Sequence, residues 1–238
     1  MLTCVSCFYK VNNKHSKSYE EWFHNTLSIK CPYIFFSNKE CIEIIKQYRR
    51  DLPTYYIEYN IEDFYTYAYK YNMITDPVHC PSIELNLIWN EKIFMMQKAH
   101  DINPFNSEWF KWVDAGICIY RNEKPPNMTF PDPQKLAKLP KDKFIYSSAY
   151  EYTIKAAATY SYYHHICGTS YIMYKDCIEN MANIYKEYFH NIVNINNIRI
   201  DKNNIWTDQY ILTHIFIDHP ELFYKLCEGY GEVTKYLF

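Results

Sequence analysis

The sequence predicts an α/β fold, a Rossmann-like single domain in which a mostly parallel central sheet is flanked by helices. Apolar runs at residues 2–9, 32–36 and 54–59 predict three strands, and the segments between them, 18–29 and 39–50, have helical spacing. This strand-helix order is typical of the nucleotide-binding half of a doubly wound sheet. With 238 residues, 48% of them hydrophobic and 19% aromatic, the chain has enough material for one sizeable core.

The first half of the chain can be justified element by element. The run at 2–9 is almost continuously apolar, which is typical of a buried parallel strand. In the second helix Cys41, Ile44, Ile45 and Tyr48 recur at helical spacing. Residues 61–81 are rich in tyrosine and predict no regular element, whereas residues 83–99 predict a long helix.

The second half predicts fewer regular elements. Residues 121–143 hold five of the eleven prolines and predict a long loop over the site or at the edge of the sheet. Residues 144–152 predict a strand, and 166–174 predict a short strand or turn around Gly168. Helices are expected at 176–191 and at 207–217, with Thr207 as the N-cap of the last one.

Composition excludes several classes of function. The net charge of −2 points neither to nucleic acid nor to an anionic membrane, and no apolar run is long enough for a membrane span. We expect no signal peptide, because the apolar start lacks a basic leader and a cleavage site. Nine scattered cysteines without an export signal predict free thiols in a reducing, cytoplasmic setting.

Asp114 is the strongest candidate for chemistry. It is a single carboxylate inside an apolar, aromatic run, residues 103–117, that predicts a buried strand. A buried carboxylate needs a cation or hydrogen-bond donors, and Ala115 and Gly116 leave the backbone open to close approach. The pattern favours a Mn²⁺ or Mg²⁺ site that includes substrate phosphates, and the alternative is a carboxylate held by backbone amides.

Lys92 falls near the middle of the apolar face of the predicted helix 83–99. A lysine there either extends its stem to reach solvent or reaches a buried anion. The functional interpretation is a contact with the phosphate or base of a nucleotide donor. Arg49 and Arg50 end the second helix, where a basic residue suits the helix dipole, and Arg50 is a candidate for reaching the nucleotide.

Two later clusters are candidates for the acceptor side. Residues 164–170 combine two histidines, Gly168 and Thr169, and at most one of two adjacent histidines in a strand can face a shared site; we select His165. Asp208, at the start of the last long helix, has two interpretations. It either caps the helix or has a functional role, as a general base or as a group that fixes the acceptor hydroxyl.

At these residues the chain resembles the WlaTC/HtrL (YibB-like) glycosyltransferases, a family found in bacteria and large DNA viruses. The resemblance spans most of the chain and rests on the order of several short motifs. These are residues 32–37 with the helix that follows, residues 87–92, the run at 103–117, residues 164–171 and residues 207–212.

This resemblance implies a GT-A type fold and transfer of a sugar from a nucleotide-sugar donor, with a preference for UDP. It implies that residues 1–120 bind the donor, with Ser6, Phe8 and Tyr9 near the base, and that residues 144–238 form the acceptor and catalytic half. Asp114 then takes the place of the Asp-x-Asp metal motif, although Ala115 and Gly116 leave it without a second carboxylate. Asp208 would deprotonate the acceptor hydroxyl in an inverting reaction, or orient the substrate in a retaining one.

Two alternatives remain open. The missing second carboxylate is compatible with a non-catalytic module that binds a nucleotide or a glycan. The 26 tyrosines could stack on single-stranded nucleic acid, but such platforms normally come with a basic groove, which the acidic balance does not provide.

Overall fold

The computed structural model describes residues 1–15, 18–149, 165–194 and 207–238. In this part of the chain seven strands form one sheet in the order β3-β2-β1-β4-β6-β5-β7. Four of the six neighbouring strand pairs are parallel and two are antiparallel, so the sheet is mostly parallel as predicted. Helices cover both faces of this sheet, which is the layering of an α/β domain.

The first half confirms the predicted alternation of strands and helices. It contains β1 (Leu2–Cys7), α1 (Tyr19–Thr26), β2 (Tyr33–Ser37), α2 (Lys39–Arg49) and β3 (Thr54–Glu58). Two 3₁₀ helices, Ile61–Asp63 and Tyr65–Asn72, fill the tyrosine-rich segment for which no regular element was predicted. They lead to α3 (Ile83–Ile102), which Ser82 caps by accepting a hydrogen bond from the backbone of Leu85.

The second half begins with β4 (Trp109–Val113), a short 3₁₀ helix at Cys118–Tyr120, α4 (Pro133–Ala137) and β5 (Phe144–Ser148). Then come β6 (Ile166–Tyr174), α5 (Lys175–Asn194) and α6 (Asp208–Asp218). A last 3₁₀ helix, Pro220–Leu222, precedes β7 (Phe223–Glu228) and α7 (Glu232–Tyr236). Strand β6 runs antiparallel to both of its neighbours, β4 and β5.

The predictions for the second half are confirmed only in part. The proposed loop at 121–143 contains α4, whose N-cap Asp132 accepts hydrogen bonds from the backbone of Gln134 and Lys135. Residues 166–174, for which a short strand or a turn was predicted, form the nine-residue strand β6. Neither β7 nor α7 was predicted, because their short sequences carry little periodic signal. The predicted strand 144–152 ends at Ser148, and its last three positions, 150–152, lie outside the described residues.

The core has one layer on each face of the sheet. Alternate residues of β4 divide between the layers: Phe110 and Trp112 face α3, α5 and α6, whereas Trp109 and Val113 face α1, α2 and α7. Among the described residues no helix is long and apolar enough to cross a membrane, as expected. All nine cysteines are free thiols, as expected from the absence of a framework spacing.

Candidate active site

The candidate site lies at the carboxyl end of β4, where three elements meet. Asp114 directly follows this strand, and its backbone N–H donates to the carbonyl of Thr169 in β6 at 3.0 Å. Helix α3 brings Lys92 to the same point from one face of the sheet. The first turn of α6 brings Asp208 there, because Thr207 caps this helix by accepting a hydrogen bond from the backbone of Tyr210.

Lys92 is the centre of the site. Its Nζ lies 3.0 Å from Oδ1 of Asp114 and 3.1 Å from Oδ2 of Asp208, and it donates to the carbonyl oxygen of Gly168 at 3.1 Å. Burial lowers the pKa of the Lys92 ammonium, but the charges of Asp114 and Asp208 raise it, and the result lies above the ordinary value. The side chain therefore remains protonated and reaches buried anions instead of solvent, which was one of the two interpretations of this residue.

Asp114 is the more accessible of the two carboxylates, with 31% of its side chain exposed. Its Oδ1 accepts a hydrogen bond from the indole Nε1 of Trp112 at 2.8 Å in addition to the ion pair with Lys92. Its Oδ2 has no hydrogen bond or ion pair with any described residue. One edge of this carboxylate is thus fixed from within the protein, and the other is available to a ligand.

Asp208 is only 5% exposed. Burial raises the pKa of its carboxyl group to about 6, an effect that Lys92 opposes and that the charge of Asp114 reinforces. Although its Oδ2 contacts Lys92, no hydrogen-bond donor among the described residues is aligned with this oxygen. Thr207 is the N-cap, as predicted, and Asp208 occupies the first position of the helix, where a negative charge also suits the helix dipole. Its carboxylate is turned towards Lys92.

Gly168 closes the site from the side of β6. A Cβ atom at this position would lie 2.5 Å from Oδ2 of Asp208 and 2.8 Å from Cγ of Gln209, so any side chain here would displace both. Its carbonyl accepts from Lys92, and its N–H donates to Oε1 of Gln209 at 2.9 Å. Gln209 is a site residue that was missed as a candidate; its position next to Asp208 at the start of a helix was the available signal.

The other side of Asp114 is lined by an aromatic cluster on α1. A Cβ atom at Gly116 would lie 2.7 Å from the ring of Tyr19, which explains why a glycine follows Ala115 here. The guanidinium of Arg121 lies 3.9 Å from the ring centre of Trp22, and its Nε donates to the carbonyl of Gly116 at 2.9 Å. Burial is the main cause that raises the pKa of Tyr19 to about 12. The charge of Asp114 raises this pKa further, and the charge of Arg121 lowers it.

Comparison with known proteins identifies the family. The model of the family described as "Bacterial protein of unknown function (HtrL_YibB)" matches residues 38–233, which include Lys92, Asp114, Gly168 and Asp208. The chain belongs to the HtrL_YibB family. No curated protein matches it significantly in sequence.

Two solved structures that resemble the fold of this HtrL_YibB chain are glycosyltransferases. The apo form of mouse xyloside xylosyltransferase 1 has a TM-score of 0.55 and 12% identity, covering 94% of this chain and 84% of that chain. The galactosyltransferase LgtC, solved with donor and acceptor sugar analogs, has a TM-score of 0.50 and 8% identity, covering 96% of this chain and 73% of that chain. At these identities the likeness shows the fold, which is of the GT-A type.

Some of the predicted donor-side residues of this HtrL_YibB chain do not meet at the site. Arg50 follows α2, which runs back from the carboxyl end of β2 to the amino end of β3. It therefore lies at the amino ends of these parallel strands, whereas Asp114 lies at the carboxyl end of β4. Ser6 is fully buried, and Tyr9 is buried with its hydroxyl donating to the carbonyl of Tyr59. Phe8 packs against Tyr19, one of the aromatic residues beside Asp114, with ring centres 5.6 Å apart.

The predicted acceptor-side residues are divided in the same way. Gly168 and Thr169 line the site, Thr169 through its backbone carbonyl. His165 is buried, and its Nε2 shares a hydrogen bond with the hydroxyl of Tyr146 at 2.7 Å, within a layer that includes Phe216. His164 lies outside the described residues.

The carboxylate of Asp114 is the group that could hold a divalent metal in this HtrL_YibB chain. Among the described residues no three histidine, cysteine or acidic side chains form a ready metal cage. A Mg²⁺ or Mn²⁺ ion needs fewer protein ligands when substrate phosphates and water complete its shell, and one or two carboxylates suffice. The free edge of Asp114 fits that arrangement, whereas Asp208 is buried against Lys92.

Proposed function

We propose that this protein transfers a sugar from a nucleotide-sugar donor, a UDP-sugar in the first instance, to an acceptor hydroxyl. The observation that carries the proposal is the arrangement around Lys92, which joins Asp114 and Asp208 at the carboxyl end of β4. In open α/β sheets ligands bind beyond the carboxyl ends of the strands. The fold resembles that of glycosyltransferases, and a lysine between two carboxylates suits a reaction that releases a diphosphate.

The donor half of the proposal uses residues 1–120. The free edge of Asp114 would hold Mn²⁺ or Mg²⁺ together with the diphosphate, and a bound metal would neutralise charge on the leaving nucleotide. Lys92 orients Asp114 by binding its Oδ1. It also supplies a fixed positive charge close to the negative charge that develops on the leaving group. Gly116 leaves room for the rings of Tyr19 and Trp22 beside Asp114.

The acceptor half uses residues 144–238. Asp208 is mainly ionised at neutral pH, because its pKa is about 6, and a carboxylate of this kind can accept the proton of an acceptor hydroxyl. That role belongs to an inverting reaction; in a retaining one Asp208 orients the sugar. The anomeric configuration of the product, read by NMR, distinguishes the two.

A thermal-shift screen followed by a turnover assay tests the proposal. We expect one of UDP, GDP, CMP and TDP to raise the melting temperature, more so with Mn²⁺, because a ligand that binds the native state stabilises it. The corresponding nucleotide sugar should then release its nucleotide. Asp114→Asn should abolish both the metal-dependent shift and the release, whereas the exposed Asp51→Asn should change neither.

A non-catalytic nucleotide- or glycan-binding module is the second candidate, and one observation favours it. Lys92 already pairs with both carboxylates, so the site is partly neutralised from within the protein. In that case a nucleotide or glycan binds, no nucleotide is released from any sugar donor, and Asp208→Asn leaves affinity unchanged. Release of nucleotide by the unmodified protein excludes this candidate.

A further inference from the structure

Arg121 is held rigidly beside the end of β4. Its Nε donates to the carbonyl of Gly116 at 2.9 Å, and the central carbon of its guanidinium lies over Trp22, 3.9 Å from the ring centre. Trp22 is itself held by an edge contact with His15, with ring centres 5.2 Å apart, and by Tyr19 at the same distance. These contacts hold the guanidinium against the carbonyl of Gly116, which lies two residues beyond Asp114.

The remaining donors of Arg121 are not used by the part of the chain that the structure describes. There its two terminal amino groups make no hydrogen bond, and no carboxylate pairs with it. Arg49 shows the contrast, because it is fully buried and donates to four backbone carbonyls and to the hydroxyl of Thr54. Arg49 is therefore committed to the fold, whereas Arg121 is only half-buried and retains free donors.

The charge around Asp114 calls for such a group. Lys92 carries one positive charge against the two carboxylates of Asp114 and Asp208, so these three side chains leave an excess of negative charge. When no metal is bound, a diphosphate that approaches them is repelled unless another cation of the protein faces it. The planar fork of an arginine matches phosphate oxygens and can donate two parallel hydrogen bonds to them.

We propose that Arg121 binds the diphosphate of the nucleotide donor, with Trp22 and the carbonyl of Gly116 holding its guanidinium in place. The inference rests on the proposed function, since it assigns a donor-binding residue to the same site. It places positive charge on the α1 side of Asp114, opposite Lys92 on the α3 side.

The test measures binding of UDP, UMP and inorganic pyrophosphate by calorimetry. Arg121→Gln should weaken UDP and pyrophosphate about tenfold or more, the range expected for lost charge-assisted hydrogen bonds, and UMP by less. Lys124→Gln is the matched control, because it removes the same charge three residues away at an exposed position. Arg121→Lys keeps the charge without the fork and should show an intermediate loss at an unchanged melting temperature.

The outcomes separate this inference from the proposed function. Equal affinities in Arg121→Gln and Lys124→Gln overturn the inference even if the protein transfers sugar, and a lower melting temperature without a change in affinity shows that Arg121 only supports the fold. Failure of the wild-type protein to bind UDP and pyrophosphate also overturns it. Binding that depends on Arg121 without any turnover upholds the inference and contradicts the transferase proposal.

Discussion

At the scale of single residues, the ion cluster around Lys92 is better explained by function than by stability. Lys92 and Asp208 are removed from water and Asp114 is partly so, and buried pairs of this kind are often no more stabilising than apolar residues of the same volume. Their arrangement does hold two carboxylates in fixed positions with different exposure, Asp208 at 5% and Asp114 largely open on one edge. Groups with such different environments suit different roles in one reaction.

The pH dependence of turnover tests the role of Asp208. Its carboxylate form is the active form of a base, and its pKa is raised to about 6, so kcat/KM should rise with pH through this value and then level off. One unit below the pKa, only about a tenth of the groups are ionised and the rate falls in proportion. Asp208→Asn should lose activity and this dependence together, whereas Asp51→Asn should keep both. A flat profile between pH 5 and 8 in the wild-type protein would contradict the assignment.

Asp114 and Lys92 could be selected from the sequence because each is a lone charge in an apolar pattern, which requires a partner. The sequence could not show that one ammonium spans two carboxylates, since that depends on the antiparallel pairing of β4 with β6. Arg121 and Trp22 were missed for a similar reason, because their contact joins a loop to a distant helix. Phe8 and Tyr9 were grouped together although adjacent residues at a strand end face opposite sides.

At the scale of elements, Glu91 fixes the tyrosine-rich segment against α3. This buried carboxylate accepts hydrogen bonds from the hydroxyl of Tyr59, the backbone N–H groups of Tyr65 and Thr66, and the hydroxyl of Thr66. Burial raises the pKa of Glu91, and the donors of Thr66, Tyr59 and Tyr65 oppose this shift. The segment forms only short 3₁₀ helices, and these four hydrogen bonds to one side chain hold it against α3.

Replacing Glu91 with glutamine should loosen that segment. The amide nitrogen of the glutamine would face N–H or O–H donors, so at least one buried donor is left unsatisfied, at a cost of about 2 kcal/mol. Urea unfolding should report this loss, and hydrogen exchange should show faster opening at the amides of Tyr65 and Thr66. Glu84→Gln, at an exposed position in the first turn of the same helix, is the control. Equal stability of the two variants would show that the carboxylate is dispensable.

The elements of the first half were predictable because each has a clear period and a clear end, as in α2 with Asn38 as its N-cap. The second half was harder, since the direction of β6 is a tertiary property and no local signal distinguishes a parallel from an antiparallel strand. Helices α4 and α7 have five residues each, too few to show helical periodicity.

At the scale of the whole molecule, the second face of the sheet contains a buried cation that the proposed reaction does not use. Lys111 is fully buried in β4, and its Nζ donates to the backbone carbonyl of Trp112 and to the hydroxyls of Ser170 and Thr234. Burial lowers its pKa to about 8, although the nearby thiols of Cys4, Cys31 and Cys227 and the carboxyl of Asp114 act in the opposite direction. Three neutral acceptors do not fully replace the water that this ammonium loses.

The stability of the whole fold should therefore depend on pH in a way that Lys111→Met removes. Between pH 8 and the ordinary lysine value of 10.5, the unfolded chain binds a proton at this residue that the folded chain does not, so raising the pH favours folding. Relative to Lys111→Met, the free energy of unfolding of the wild-type protein should rise by about 2 kcal/mol between pH 8 and 10. The buried tyrosines lower the free energy of unfolding as the pH rises, but they are present in both the wild-type protein and Lys111→Met. Their contribution therefore cancels when urea unfolding of the two proteins is compared. A constant difference across this range would mean that Lys111 titrates normally, and hence that water reaches its ammonium through the folded structure.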